Sequence, residues 1–98
     1  MKKFKDLVFH PNGTGGINSR MDFDNGFSIS VIAGGIAYSS PRFQDKEDPN
    51  FFSTFEVAVF APDGDWGTKQ FAPDHHDDVL GWQDRDEITA LMLLIQSK

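Results

Sequence analysis

The 98-residue chain contains no cysteine, and this absence removes several kinds of chemistry. Without thiols the chain can form neither disulfide bonds nor Cys-based zinc sites, and it has no cysteine nucleophile. Long apolar runs are also missing, since no segment approaches the roughly 18 residues of a membrane-spanning helix. The basic start, from Met1 to Asp6, precedes no apolar region of the kind that signal peptides carry. We therefore expect a soluble, cytoplasmic protein.

Basic residues are scarce in the second half of the chain. Residues 1–50 carry six Lys and Arg against six Asp and Glu, whereas residues 51–98 carry three against nine, so the net charge of −6 lies entirely in the second half. Because an acidic domain repels phosphates, direct DNA or RNA binding is not expected. Two interpretations stay open: the acidic half either keeps the protein soluble or meets a basic partner.

Aromatic residues, by contrast, are plentiful. The chain has ten Phe, two Trp and one Tyr, and 39% of its residues are hydrophobic. This composition is typical of a globular chain, and the length is enough for one modest core. A single domain over residues 1–98 is therefore predicted.

The segment from Phe23 to Val31 organises the predicted core. It places Asn25-Gly26 between alternating apolar residues, the strongest short-range signal for a β-hairpin. A two-residue loop would set apolar residues opposite polar ones, whereas a three-residue loop ending at Gly26 pairs Phe23 with Phe27, so the latter is predicted. Seven apolar residues then face inward and five polar residues face outward: Ile17, Met21, Phe23, Phe27, Ile29, Val31 and Ala33 inward, and Asn18, Arg20, Asp22, Ser28 and Ser30 outward.

A second hairpin is predicted around Pro62-Asp63-Gly64. A strand over residues 51–61 precedes this strong turn signal. Along the strand Phe55, Val57 and Val59 share one face, because side chains alternate with a period of two.

A three-residue turn there places aromatic side chains opposite each other. Phe60 faces Trp66, and Phe55 faces Phe71 in a returning strand over residues 66–71. The Phe60–Trp66 pair lies on the face opposite the valines. Either a helix covers part of that face, or the face is exposed as a binding patch.

A helix over residues 85–96 closes the predicted fold. Asp84 and Glu87 match a capping box, and the acidic first turn favours the positive end of the helix dipole. One apolar stripe runs along the helix, formed by Ile88, Leu91, Met92 and Ile95. Leu93 points away from the stripe, either as a single exposed apolar residue or as a subunit contact.

The remaining segments are connections and one short strand. Residues 4–10 are expected to form that strand, residues 11–16 a glycine-rich hairpin connection, and residues 39–50 a long polar loop in which Phe43 is the apolar exception. Residues 72–83 are expected to be irregular and docked onto the core by Val79, Leu80 and Trp82. The predicted class is α+β, an antiparallel sheet of four or five strands packed by one C-terminal helix.

One cluster has metal-ligand character, Asp74-His75-His76-Asp77-Asp78. Imidazole and carboxylate groups suit zinc, manganese or iron, so His75, His76 and Asp77 are candidates for the site of a small metal-dependent enzyme. Adjacent histidines rarely point at one ion, however, and a polar loop accounts for the same residues. No nucleophile elbow and no dinucleotide-binding fingerprint occurs, so neither a catalytic residue nor a cofactor is predicted.

Three segments together resemble a recurrent pattern in small, mostly uncharacterised bacteriophage and prophage proteins. They are residues 23–31, 54–59 and 78–82, followed by the acidic start of the last helix. The resemblance covers roughly residues 20–95 apart from the 39–50 loop. It implies an accessory protein of the host bacterial cytoplasm that binds and modulates a host factor, and it carries over no catalytic residues.

Three functions agree with these features. The first is a non-enzymatic accessory protein that binds a host or phage protein, including a nucleic-acid-binding one, through an acidic surface with apolar anchors. Its candidate residues are Asp74, Asp77, Asp78, Asp84 and Asp86, with Phe60 and Trp66 as anchors. The second is a structural homodimer that buries Phe60, Trp66 and Leu93. The third is the metal-dependent enzyme, and neither nucleic acid nor a membrane is expected as a direct partner.

Overall fold

Five antiparallel strands follow one another in chain order across one sheet in the computed structural model, which describes all of residues 1–98. The strands are β1 (His10–Pro11), β2 (Ile17–Asp22), β3 (Ser28–Ala33), β4 (Phe55–Phe60) and β5 (Val79–Gln83). The helices are α1 (Thr68–Phe71), after β4, and α2 (Arg85–Gln96), after β5. The predicted α+β class, with an antiparallel sheet and a C-terminal helix, is confirmed.

The central hairpin has the predicted register. Met21 lies opposite Ile29, and the amide of Phe23 donates to the carbonyl oxygen of Phe27 at 2.8 Å. Gly26 has a φ of 90°, a conformation that glycine adopts without a steric penalty. The three-residue loop therefore fixes which side chains of β2 and β3 face the core.

The core lies between one face of the sheet, here called the inner face, and helix α2. Fourteen buried apolar side chains form it: Leu7, Ile17, Phe23, Phe27, Ile29, Val31, Ala33, Phe52, Phe55, Val57, Val59, Ile88, Met92 and Ile95. The last three are fully buried residues of the predicted helical stripe. Their burial holds α2 against the sheet by the hydrophobic effect.

The capping box of α2 is formed as the sequence predicts. The carboxylate of Asp84 accepts the amide of Glu87 at 2.8 Å, and the Glu87 carboxylate accepts the amide of Asp84 at 3.0 Å. Both bonds satisfy amides that have no partner within the helix. No helix in the chain has both the length and the apolar character needed to cross a membrane.

Residues 4–10 do not form the predicted strand. A single 3₁₀ turn begins at Phe4, whose amide donates to the hydroxyl of Thr89 in α2 at 3.1 Å. The Phe4 ring packs 5.1 Å from the ring of Phe55. The segment therefore docks against the helix and the core, and it reaches the sheet only at the short strand β1.

The predicted return strand over residues 66–71 is also wrong. The Phe60–Trp66 pairing is present, but Phe71 lies in α1 and its ring meets the edge of Phe27 rather than pairing with Phe55. The place beside β4 is taken by β5, a strand that forms within residues 72–83, for which the sequence predicts irregular structure.

Thr68 is the physical reason for this change. Its fully buried hydroxyl accepts the amide of Val59 at 3.0 Å and donates to the carbonyl oxygen of Asp78 at 2.6 Å. The side chain thereby satisfies a backbone group of β4 and also the residue that precedes β5. Hydrogen bonds from one short side chain to two segments let the chain turn into α1 while β4 and β5 pair.

The exposed leucine of α2 is Leu94 rather than Leu93. Leu94 is 53% exposed, whereas Leu93 is half-buried. Thr89 and Gln96, which bind the backbone of the N-terminal segment, lie one helical turn before and after Leu93. The docked N-terminal segment thus runs along the side of the helix where Leu93 was expected to be free.

We predict that Thr68→Val destabilises the fold by on the order of 2–3 kcal/mol, because the isosteric change leaves the Val59 amide and the Asp78 carbonyl without their partner. Urea denaturation followed by circular dichroism measures this difference. The control is Thr14→Val, at an exposed threonine whose hydroxyl forms no hydrogen bond, where a change within about 0.5 kcal/mol is expected. Equal stability of both variants would show that the Thr68 hydroxyl is not structural.

Candidate interaction surface

The sheet face that α2 leaves uncovered, here called the outer face, carries both tryptophans and the only tyrosine of the chain. These side chains form two groups, each with an arginine stacked on an aromatic ring. The Phe60 cluster consists of Arg20, Phe60 and Trp66. The Tyr38 cluster consists of Tyr38, Arg42, Phe43 and Trp82.

The Phe60 cluster stands where β4 ends. The rings of Phe60 and Trp66 lie 5.0 Å apart, as the predicted cross-strand pairing requires. The guanidinium of Arg20 lies 4.8 Å above the Phe60 ring and donates to the hydroxyl of Ser28 at 3.0 Å. Ser28, expected to face solvent, is consequently buried under this arginine, while Trp66 keeps half of its surface accessible.

The Tyr38 cluster stands at the other end of β4. Tyr38 and Trp82 stack with ring centres 5.2 Å apart, and the Trp82 amide donates to the Tyr38 carbonyl oxygen at 2.9 Å. The guanidinium of Arg42 lies between Tyr38 and Phe43, 4.6 Å from each ring centre. Trp82, which was expected to dock onto the core, is instead 54% exposed, and Phe43 is 68% exposed.

Two residues of the Tyr38 cluster have strained backbones. Trp82 has a φ of 53° and Phe43 a φ of 60°, both in the left-handed region that bulky side chains avoid. Such conformations cost roughly 1–3 kcal/mol each and persist only where surrounding contacts impose them. At Trp82 the ladder between β4 and β5 shifts register, and this bulge turns the indole onto Tyr38.

Small side chains of the sheet lie between the Phe60 cluster and the Tyr38 cluster. Ser30 and Ala58 lie directly opposite each other in the middle of the outer face. Phe60 and Glu56, four residues apart on β4, mark the two ends, roughly 13 Å apart at the usual rise of a strand. Glu56 accepts the amide of Tyr38 at 3.4 Å, which fixes the Tyr38 cluster over that end. The outer face therefore has two aromatic ridges with small side chains between them.

The five candidate aspartates fall into two groups rather than one array. Before β5 lie Asp74, Asp77 and Asp78, and after it lie Asp84 and Asp86. Asp78 and Asp84 are six residues apart, roughly 20 Å along a strand. The first group shares the Phe60 end of the sheet, because Ala58 pairs with Val79 next to Asp78.

Two further aspartates, outside the five candidates, lie beside Trp66. Asp65 accepts the amide of Trp66 at 2.8 Å, and Asp63 accepts the amide of Asp65 at 3.0 Å. The predicted Pro62-Asp63-Gly64 turn was the available signal for them. Together with the group before β5 they place five carboxylates at the Phe60 end of the sheet.

The two histidines of the acidic loop are arranged around the backbone. The Nε2 of His75 lies 2.9 Å from the carbonyl oxygen of Val79, so this nitrogen carries the proton and donates. The rings of His75 and His76 stack with centres 5.4 Å apart. No group of three or more His, Cys, Asp or Glu side chains in the chain is placed to hold one metal ion.

Comparison with known proteins adds no relative: the chain matches no protein-family model, and neither the curated proteins nor the solved structures contain a significant match. The outer face is therefore interpreted from its own residues.

We predict that both tryptophans are open to solvent in the folded protein. Trp66→Phe and Trp82→Phe each leave one indole, and each variant is expected to emit at a longer wavelength than a buried indole and to be quenched by acrylamide. Half-exposed indoles give this result because water and the quencher reach the ring. Blue-shifted emission with strong protection from acrylamide would contradict the described outer face.

Proposed function

We propose that this chain is a non-enzymatic protein-binding module that contacts its partner through the outer face of the sheet, with Phe60 and Trp66 as anchors. The observation that carries the proposal is the half-exposed Trp66 ring stacked on Phe60, on the face of the sheet opposite α2. A large ring that neighbouring groups already hold loses little side-chain entropy when a partner buries it.

The residue types of the outer face support this proposal. Trp, Tyr and Arg are the side chains that most often carry binding energy in protein interfaces. Both clusters are built from them, and in each one an arginine stacks on an aromatic ring. Between the clusters the outer face carries the small side chains of Ser30 and Ala58.

The carboxylates at the Phe60 end favour a basic partner. Asp63 and Asp65 lie in the turn beside Trp66, and Asp74, Asp77 and Asp78 precede β5 at the same end of the sheet. Charges at the rim of an interface steer association and set its salt dependence more than its final affinity. Together with the resemblance to small phage proteins, this arrangement leads us to propose that the partner is a host or phage protein of the bacterial cytoplasm. A basic, nucleic-acid-binding protein has the charge that fits the acidic end of the outer face.

We do not propose the homodimer in which one interface buries Leu93 together with Phe60 and Trp66. Leu93 belongs to α2, which covers the inner face, whereas Phe60 and Trp66 stand on the outer face. One flat interface cannot bury residues from both sides of a sheet.

We predict that Trp66→Ala reduces capture of the partner from a bacterial lysate. Loss of an interface anchor typically costs about 2 kcal/mol or more, roughly a thirtyfold weakening. Leu94→Ala is the matched control, because Leu94 is similarly exposed but lies on α2. Pull-down with each variant as bait at low salt measures the effect, and equal capture by both variants would refute the outer face as the contact surface.

We also predict that replacing Asp74, Asp77 and Asp78 together by Asn weakens capture and flattens its salt dependence. Asn keeps an acceptor for the local backbone bond to Asp78 while it removes the charge that attracts a basic partner. Pull-downs at low and moderate salt measure both effects.

The charge-matched control neutralises three acids elsewhere, Asp24→Asn, Glu47→Gln and Asp86→Asn. The side chains of these residues form no hydrogen bond or ion pair in the structure. Asp86 is a binding candidate from the sequence, but it lies in α2, beyond the end of β5 that is far from Phe60, and so outside the contact proposed here. Equal loss in both triple variants would mean that only total charge matters.

A further inference from the structure

One edge of the sheet is open along most of β2. β1 pairs only with Ile17 and Asn18, and the following residues, 19–22, have no neighbouring strand on that side. An edge of this kind presents unpaired N–H and C=O groups to any strand that approaches it.

The backbone groups that face outward on this edge belong to Arg20 and Asp22. The Phe23 amide bonds to Phe27 across the hairpin, so the odd-numbered residues of this strand direct their N–H and C=O groups toward β3. Because these groups alternate along an antiparallel strand, those of Arg20 and Asp22 point away from the sheet.

The opposite edge of the sheet is protected by the chain itself. On β5, the carbonyl oxygen of Val79 accepts from the His75 ring at 2.9 Å, and that of Gly81 accepts from the Gln83 side chain at 3.1 Å. Natural sheets commonly protect their edges in such ways. On β2, by contrast, the outward-facing backbone groups of Arg20 and Asp22 have no hydrogen-bond partner within the chain.

We propose that the β2 edge pairs with the β2 edge of a second copy of this chain, antiparallel and about a two-fold axis between the two Met21 residues. Arg20 then lies directly opposite the partner's Asp22, and Asp22 opposite the partner's Arg20. Each of these two pairs brings outward-facing N–H and C=O groups together, so four backbone hydrogen bonds form across the axis. The contact joins the two sheets into one of ten strands.

Charge selects this register from its neighbours. A two-fold axis at Arg20 would place the arginines of the two copies directly opposite each other. A two-fold axis at Asp22 would place the two aspartates directly opposite each other. Like charges at directly opposed positions destabilise strand pairing, whereas opposite charges stabilise it. Only the axis at Met21 makes the edge complementary to itself, and the 3.9 Å contact between Arg20 and Asp22 within one chain becomes part of a cluster of four alternating charges.

The space beside the β2 edge allows a second copy of the chain to approach it. The side chains of Arg20 and Asp22 are 58% and 84% exposed. A groove of about 700 Å³ separates the N-terminal residues from the Asp22–Asn25 turn, so no other segment fills the space beside that end of β2. Because β1 blocks the edge at Asn18, pairing is confined to about five residues, and the dimer is correspondingly weak and dependent on concentration.

This dimer goes beyond the proposed binding function and does not rest on it. The two-fold axis is perpendicular to the joined sheet, so both outer faces lie on the same side and both Trp66 rings stay accessible. A dimer through the outer face would instead bury Trp66.

Sedimentation velocity from micromolar to near-millimolar concentration tests the proposal with a charge exchange. The single variants Arg20→Asp and Asp22→Arg each place like charges opposite each other and are expected to self-associate about tenfold more weakly than the natural chain. The double variant Arg20→Asp, Asp22→Arg restores opposite charges and is expected to recover the association. Urea denaturation of each variant shows whether the fold is intact.

The double variant separates edge pairing from the other role of Arg20. It does not restore the stacking of Arg20 on Phe60, so recovery assigns the contact to the edge. A monomer at every concentration, single variants that dimerise normally, or a double variant that stays monomeric would each overturn the proposal. Dissociation of the dimer by Trp66→Ala would equally overturn it, because that result assigns the contact to the outer face.

Discussion

The register of the β2–β3 hairpin is the constraint on which the other features depend. Because side chains alternate with a period of two, a slip of one residue would turn every core side chain of these strands to the other face. The turn prevents this slip: Asn25 accepts the Phe27 amide at 3.2 Å and donates to the carbonyl oxygen of Ile95 at 2.9 Å. One side chain thus ties the hairpin loop to the end of α2, and the loop geometry decides which face the helix covers.

As a result, the two faces of the sheet are covered by different groups. The inner face is filled by the apolar stripe of α2 and by the docked N-terminal segment. The chain has no second long helix, since α1 has only four residues, and the outer face is left to side chains. Arginines stacked on aromatic rings cover it in part, with Arg20 over Phe60 and Arg42 between Tyr38 and Phe43. Stacking of this kind holds large apolar rings at the surface without burying them.

The same arrangement separates the two surfaces that we propose as contacts. The proposed partner meets the outer face at its acidic end, and the proposed second copy meets the β2 edge, so both contacts can exist together. Arg20 belongs to both regions, because its guanidinium lies on Phe60 while its backbone faces the open edge. Strand pairing at the edge would therefore influence how the Phe60 cluster is held, so the two proposed contacts would be coupled through Arg20.

Local patterns in the sequence determined the hairpin register, the capped helix, the Phe60–Trp66 pair and the α+β class, because each follows from residues close together in the chain. Tertiary structure decided the rest. The Thr68 hydroxyl bonds groups on β4 and before β5, so the expected return strand became a short helix and β5 took the place beside β4. The Tyr38 cluster joins residues about forty positions apart, and its strained backbone at Trp82 has no local sequence signal. The separation of the aspartates likewise depends on β5, whose pairing with β4 is a long-range contact that no pattern within the segment could specify.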